Sequence, residues 1–193
     1  MVNKENKREK ILMAALEVFT KKGFHASSMA MVARKAKISV GAIYNYFKNE
    51  DDLIRQIFLE IKKDMISVLS ENINQDMECE EKFITFWITI FKYLIKNPSK
   101  FRYLEQYFNS PYGIRERKEC LVEKGEGPSL LIEIFKEGIN KKIIQNLPLE
   151  ILTAITMGPM VSLARDSSLG FSNLDENLIK KCAECCFRGI ANK

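Results

Sequence analysis

Ser27-Ser28-Met29-Ala30-Met31-Val32-Ala33-Arg34-Lys35-Ala36-Lys37-Ile38-Ser39-Val40-Gly41-Ala42-Ile43-Tyr44-Asn45-Tyr46-Phe47 is the stretch that decides how this chain folds. A serine leads each of two segments separated by Lys37-Ile38, and each segment reads as a short helix. Ser27 or Ser28 caps the first, about Met29 to Ala36, whose apolar part is Met31, Val32 and Ala33. Ser39 caps the second, Val40 to about Phe47, because its hydroxyl accepts from a backbone N–H that has no helical partner. Ile43 and Phe47 stand four apart, one above the other, and face inward.

Working outward, about Lys4 to Lys22 forms a longer helix with Ile11, Leu12, Ala15, Leu16 and Phe19 on one face and Gly23 as its stop. On the other side Asn49 caps a helix with Asp51 and Asp52 in its first turn, where the helix dipole favours carboxylates. Its stripe is Leu53, Ile57, Ile61, Met65 and Leu69. Beyond Asn72 a second set opens with Phe83, Phe86, Trp87, Ile90, Phe91 and Leu94 at helical spacing. Pro98, Pro128 and Pro148 mark later starts, and Leu131, Ile134 and Phe135 form a stripe before the last of these. Asn109 to Gly113 reads as a turn able to line a pocket entrance. Gly158-Pro159 kinks the helix from Pro148 rather than ending it. Ser172 with Asp175 resembles a capping box for a last helix that turns Leu174, Leu178, Cys182, Cys186 and Ile190 one way. Every element is helical, so the fold class is all-α.

Composition narrows the function. At 193 residues and 46% hydrophobic the chain can bury a sizeable core without staples. It has no uncharged apolar run of membrane-spanning length and begins with polar residues, so a soluble cytoplasmic protein is expected. Five cysteines, Cys79, Cys120, Cys182, Cys185 and Cys186, are an odd count that argues against a disulfide framework. Residues 1–50 hold ten Lys and Arg against four Asp and Glu, whereas 51–193 are nearly balanced. The basic front end points to a polyanion, with nucleic acid the first candidate.

A long helix followed by two short ones across a tight break is a helix-turn-helix arrangement, whose second short helix can enter a major groove. The spaced set Ile11, Leu12, Ala15, Leu16, Phe19, Gly23, Phe24, Ser28, Met29, Val32, Ala33, Ala36, Ile38, Ser39, Gly41, Ala42, Ile43, Tyr44, Tyr46 and Phe47 closely resembles the TetR family of repressors. The resemblance covers about Glu9 to Leu53. It implies a DNA-binding domain over 1–50, a helical effector-binding and dimerisation domain over 51–193, and a homodimer on a palindromic operator from which a small-molecule effector releases it. Lys37 and Glu50 depart from the family pattern, which commonly has a turn glycine at the first position and a phosphate-reaching lysine at the second.

On that resemblance the DNA-binding candidates are Ser28, Lys37, Ser39, Val40, Gly41, Ala42, Tyr44, Asn45, Tyr46 and Lys48. Their chemistry suits the role. Serine and tyrosine hydroxyls and lysine ammonium groups reach phosphates, Gly41 allows close approach, Val40 and Ala42 meet thymine methyls, and Asn45 alone can hydrogen-bond a base edge. Affinity is therefore expected to rest on phosphates and DNA shape and to depend strongly on salt. Ten aromatic residues crowd between Phe83 and Tyr112. The effector-binding candidates drawn from that region are Phe83, Phe86, Trp87, Phe91, Phe101, Glu105, Tyr107, Phe108 and Tyr112, although each aromatic also suits an ordinary core. The last two long helices are the implied dimer interface, with Leu149, Leu152, Ile155, Leu163, Leu178, Ile179, Cys182 and Cys186 as candidates. Coupling would pass through the helix of Leu53 to Leu69.

No cofactor, metal or enzymatic activity is expected: there is no phosphate-cradling loop or GxSxG, and the lone His25 lies in a loop. Two alternatives stay open, a metal or redox sensor using Cys182, Cys185 and Cys186, and a helical adaptor without specific DNA binding.

Overall fold

The computed structural model describes the backbone of residues 2–74, 76–121 and 130–192 and the side chains of 6–74, 76–116 and 130–192. Among them run ten helices: α1 (Val2–Lys22), α2 (Met29–Ala36), α3 (Val40–Tyr44), α4 (Glu50–Asn72), α5 (Cys79–Lys96), α6 (Pro98–Phe108), α7 (Pro111–Leu121), α8 (Leu130–Asn140), α9 (Leu149–Ser168) and α10 (Glu176–Arg188). The described residues contain no strand, only an isolated bridge between Ile144 and Ala191. The chain forms two compact units, Met1–Asp64 with Pro98–Ile114, and Met65–Asn97 with Arg115–Lys193. The packing division thus falls inside α4, fourteen residues past Glu50, and α6 belongs with the N-terminal helices.

In the first unit α1 packs on α2 and α6, and α2 on α3. Ile11, Ala15 and Phe19 are buried on α1 as its spacing requires, while Leu16 is only half-buried. Gly23 ends α1 at φ +79°, a left-handed conformation that suits glycine, with its N–H donating to the Phe19 carbonyl at 2.8 Å. Ser28 caps α2 by accepting from the Met31 N–H at 3.3 Å, and Ser27 instead donates to the Gly23 carbonyl. On α4, Ile54 and Phe58 are buried beside the expected Leu53, Ile57 and Ile61. The α6 segment covers this wider face: the Phe58 and Tyr107 rings stack at 4.3 Å, and the Tyr103 hydroxyl donates to the Ile54 carbonyl. The turn expected from Asn109 to Gly113 is shorter than that reading. Pro111 takes the first position of α7, where its missing N–H costs no bond. Gly113 is required there because a Cβ would lie 2.3 Å from the Tyr107 carbonyl oxygen.

In the second unit α5 is surrounded by α8, α9 and α10, and Phe83, Phe86, Trp87, Ile90, Phe91 and Leu94 are all buried. Each large apolar side chain so buried contributes roughly 1.5–3 kcal/mol. Leu131, Ile134 and Phe135 fill the facing side of α8; Pro128 lies outside the described residues. Helix α9 continues through Pro159, and Pro148 is its N-cap. Proline cannot donate to the Ile155 carbonyl; the next carbonyl, that of Thr156, accepts from the Trp87 indole at 3.1 Å.

Helix α10 departs from its expected register. Asp175, not Ser172, is the cap, accepting from the Leu178 N–H at 2.8 Å, and the buried Ser172 hydroxyl has no hydrogen-bond partner among the described residues. The buried row is Ile179, Ala183, Cys186 and Phe187, followed by Ile190, while Leu178 is exposed and Leu174 and Cys182 are half-buried. Of the dimer candidates, Leu152, Ile179 and Cys186 therefore face the core of their own unit, and Ile155 and Leu178 remain on the surface. No described helix is long and apolar enough to cross a membrane.

Candidate nucleic-acid interface

Helix α3 spans five residues, ending at Tyr44 instead of near Phe47. The Ile43 carbonyl accepts from both the Tyr46 and Phe47 N–H groups, at 2.9 and 3.0 Å, and this shared acceptor tightens and closes the helix. So short a helix cannot hold itself in water and depends on tertiary anchors. Ile43 and Phe47 are those anchors, 0% and 1% exposed. Nearly everything else points out. Ser39, Val40, Gly41, Tyr44 and Asn45 are exposed, and Ala42 and Tyr46 are half-buried. Tyr44, at 53% exposure, is no core aromatic. Ser39 caps α3 as expected, accepting from the Ala42 N–H at 3.2 Å. A Cβ at Gly41 would meet nothing within 4 Å, so no contact inside the chain requires glycine there.

The turn before α3 rests on Lys37 at φ +56°, ψ +47°, with its N–H directed to the Ala33 and Arg34 carbonyls. A left-handed non-glycine residue carries roughly 1–2 kcal/mol of strain. The Lys37 and Lys48 ammonium groups are exposed and have no ion pair among the described residues. Lys21 and Lys35, by contrast, both bind Glu17, at 2.8 and 2.7 Å, and these bonds hold its carboxyl down at about 2. Glu50 is half-buried, its carboxyl raised above the usual range by desolvation and then by Asp51. Beside it, Asn49 accepts from the Asp52 N–H at 2.8 Å and the Asp52 carboxylate accepts from the Lys48 N–H at 2.9 Å, which fixes Lys48 at the α4 entrance. Arg34, exposed in the last turn of α2, adds a further cation near the turn. Sequence reasoning passes over it because α2 is read for its apolar residues; a cation directly after the buried Val32 and Ala33 is the available signal.

The effector candidates divide between the units. Phe83, Phe86, Trp87 and Phe91 lie buried in the second. Phe101, Glu105, Tyr107, Phe108 and Tyr112 lie in the first, where Phe101 and Tyr107 are buried, Glu105 and Tyr112 half-buried and Phe108 exposed. The Tyr112 hydroxyl donates to Asp51 at 2.6 Å, and burial together with that carboxylate pushes its ionisation up to about 12. A groove of about 410 Å³ in the second unit is lined by other residues: Ile66, Leu69, Ile73, Leu130 and Ile134, with Glu133 and the Lys82–Glu137 pair (2.9 Å). Burial raises the thiols of Cys79, Cys182 and Cys186, the last to about 11. Cys120 lies outside the described side chains. Among the described residues no three His, Cys, Asp or Glu side chains gather as they would to hold a metal ion.

Comparison with known proteins covers both parts of the chain. Residues 11–57, which include α2 and α3 with their anchors, match the bacterial regulatory proteins of the tetR family. Residues 78–191 match the tetracyclin repressor-like C-terminal domain. An uncharacterized HTH-type transcriptional regulator of Haemophilus influenzae is 28% identical over 189 residues, 94% of either chain. The fatty acid metabolism regulator protein of Bacillus subtilis is 34% identical over 82 residues, 42% of either chain. A TetR family transcription regulator from Marinobacter aquaeolei shares the fold over the whole of both chains, with a TM-score of 0.86 at 20% identity. With a capped, outward-facing helix-turn-helix at one end and a family domain matched across the other, the chain belongs to the TetR family of DNA-binding transcriptional regulators.

Proposed function

We propose that the protein is a repressor that binds a palindromic operator as a homodimer, reads it with α3, and leaves it when a small effector binds. The observation that carries this reading is the outer face of α3. Val40, Gly41 and Tyr44 on α3, with Asn45 at its C-cap, are exposed on a segment held by two buried anchors, and Lys37 and Lys48, which form no ion pair among the described residues, flank it. Val40 and Ala42 suit thymine methyls and Asn45 a base edge, while Ser39, Tyr44, Tyr46, Lys37, Lys48 and the cap Ser28 suit phosphates. One such helix covers a half-site, so two-fold symmetry supplies the other. The exposed apolar side chains Ile151 and Ile155 on α9 and Leu178 on α10 supply material for the pairing surface. For the effector, the groove beside Ile66, Leu69, Ile73, Leu130 and Ile134 suits a largely apolar molecule. Among the aromatic candidates, Phe108 and Tyr112 with Glu105 keep surface for contact.

The test is selection of bound DNA from a pool of random duplexes at moderate salt, followed by sequencing. An enriched palindrome is expected, with affinity falling steeply as salt rises. Enrichment of no sequence at any salt would remove the operator reading.

A further inference from the structure

The basic front end is not presented uniformly to solvent. Lys7 and Lys10 on α1 are exposed, but Arg8 between them is half-buried and engaged on three sides. Its Nη1 donates to Glu60 Oε1 at 2.6 Å and its Nη2 to Gln56 Oε1 at 2.8 Å. Its guanidinium carbon lies 5.7 Å from the centroid of the Phe47 ring, over the face. Gln56 and Glu60 are one turn apart on α4, so two parallel acceptors meet the planar fork of a guanidinium, a match that an ammonium cannot reproduce. Phe47 is one of the two buried anchors of the α3 segment and bonds through its own N–H to the Ile43 carbonyl. The side chain of Arg8 is therefore where α1, α4 and the end of the α3 segment meet.

We infer that Arg8 is the positioning residue of the reading helix: it clamps Phe47 against α4 and so sets the tilt at which α3 meets a major groove, without itself touching DNA. The inference rests on α3 being the DNA reader. Five residues cannot fix their own orientation, and of the two anchors Ile43 lies within α3 while Phe47 lies beyond its end, where a small displacement becomes a rotation of the whole helix. The cation–π contact holds that end in place, and the forked bonds hold the cation. Because Glu60 already neutralises Arg8, the residue releases no counterions when DNA binds. Its effect falls on sequence discrimination and not on salt dependence.

Full-length Arg8→Lys, Arg8→Ala, Phe47→Leu and Lys48→Ala would be compared with the unaltered protein on the selected operator and on a scrambled duplex. Affinity would be measured across a salt series, well below each variant's melting temperature. Arg8→Lys and Arg8→Ala are expected to weaken operator binding about tenfold, the scale of one misread base pair. Scrambled-duplex affinity and the salt slope should stay unchanged, and Phe47→Leu should reproduce this pattern. Lys48→Ala should weaken both duplexes and flatten the slope. Arg8→Lys keeps the charge and the aliphatic stem, so it reports even if Arg8→Ala fails to fold. A slope flattened by Arg8→Ala as much as by Lys48→Ala would place Arg8 on phosphate and overturn the inference, as would a folded Arg8→Lys with unaltered operator affinity. Failure of the unaltered protein to prefer its operator would instead show that the DNA reading itself is wrong.

Discussion

Helices α3 and α5 both carry aromatic side chains that the sequence marks as candidates for contact with another molecule, and the fold treats them in opposite ways. On α5, packed against by α8, α9 and α10, Phe83, Trp87 and Phe91 are 0% exposed. On α3, held by Ile43 and the neighbouring Phe47, Tyr44 is left 53% exposed. A helix packed on one side keeps a face to offer, and its caps and anchors tell which face that is. A helix with three neighbours buries its aromatic residues and leaves mainly polar and aliphatic ones at its surface, so the aromatics crowded onto α5 measure how much core the second unit needs. Aromatic density in a sequence does not distinguish a lined pocket from a filled one; the number of neighbouring helices does.

The contrast can be broken most forcefully at Trp87. Trp87→Ala should cost about 3–5 kcal/mol, because it opens a cavity and leaves the buried Thr156 carbonyl without its indole donor. Urea denaturation of the full chain would measure this. A loss under about 1 kcal/mol would mean that the ring stands beside empty space and can line a pocket after all. Tyr44→Ala is the mirror experiment. Its stability should stay within about 0.5 kcal/mol of the unaltered protein, since the side chain is exposed, while operator affinity falls about tenfold or more. A Tyr44 variant that melts early yet binds normally would exchange the roles of the two helices.

What is legible in the sequence follows the same division. A serine cap on α2, the stop at Gly23, the buried Leu53, Ile57, Ile61 and Leu69 of the α4 stripe and the inward Ile43 and Phe47 are readable because each depends on residues within one or two turns; Met65 of that stripe is only half-buried. The face of α10 is not. Of the expected row Cys186 and Ile190 are buried, but Leu174, Leu178 and Cys182 recur at helical spacing as regularly as Ile179 and Ala183, and only the packing of α10 on α5 and α9 selects between them. Ser172 and Asp175 are both competent caps, and the hydrogen bond to Leu178 decides for Asp175. The wider face of α4 stays hidden because the α6 residues that cover Ile54 and Phe58, Tyr103 and Tyr107, each stand 49 residues further along the chain. Arg8 reads as one more charge of the basic front end, because its partners on α4 stand 48 and 52 residues away.

Lys37→Gly sharpens the comparison at the turn that aims α3. Glycine accepts φ +56° without the Cβ clash, so the variant should gain about 0.5–1 kcal/mol despite its more flexible unfolded chain. The same change removes an ammonium with no ion pair among the described residues, so operator binding should weaken and the salt slope should flatten by about 0.9 for each phosphate no longer neutralised. Higher stability with lower affinity would show that the strained turn is kept for its charge. Higher stability with unchanged affinity and slope would take Lys37 off the DNA.

The smallest expected effect concerns the charges of the first unit that are committed to one another. Glu17 binds Lys21 and Lys35 and so ties α1 to the end of α2, and these bonds lower its carboxyl to about 2 in the folded protein. The unfolded chain binds that proton nearer the ordinary carboxylate value of about 4.3. A group whose folded value is lowered contributes its stability fully above the unfolded value and loses it as pH falls through the interval toward the folded one. The difference in melting temperature between the unaltered protein and Glu17→Gln should thus be constant from neutral pH to about 5, then shrink to nothing as pH approaches about 2. It should be small throughout, because the carboxylate and both ammonium groups are solvated. The loss caused by Trp87→Ala should vary little over the same interval, since the indole carries no titrating proton. A Glu17 difference that persists undiminished at the acid end would show that the side chain acts through packing and not through its charge, and the distinction between paired and DNA-directed charges in this unit would then fail at Lys35.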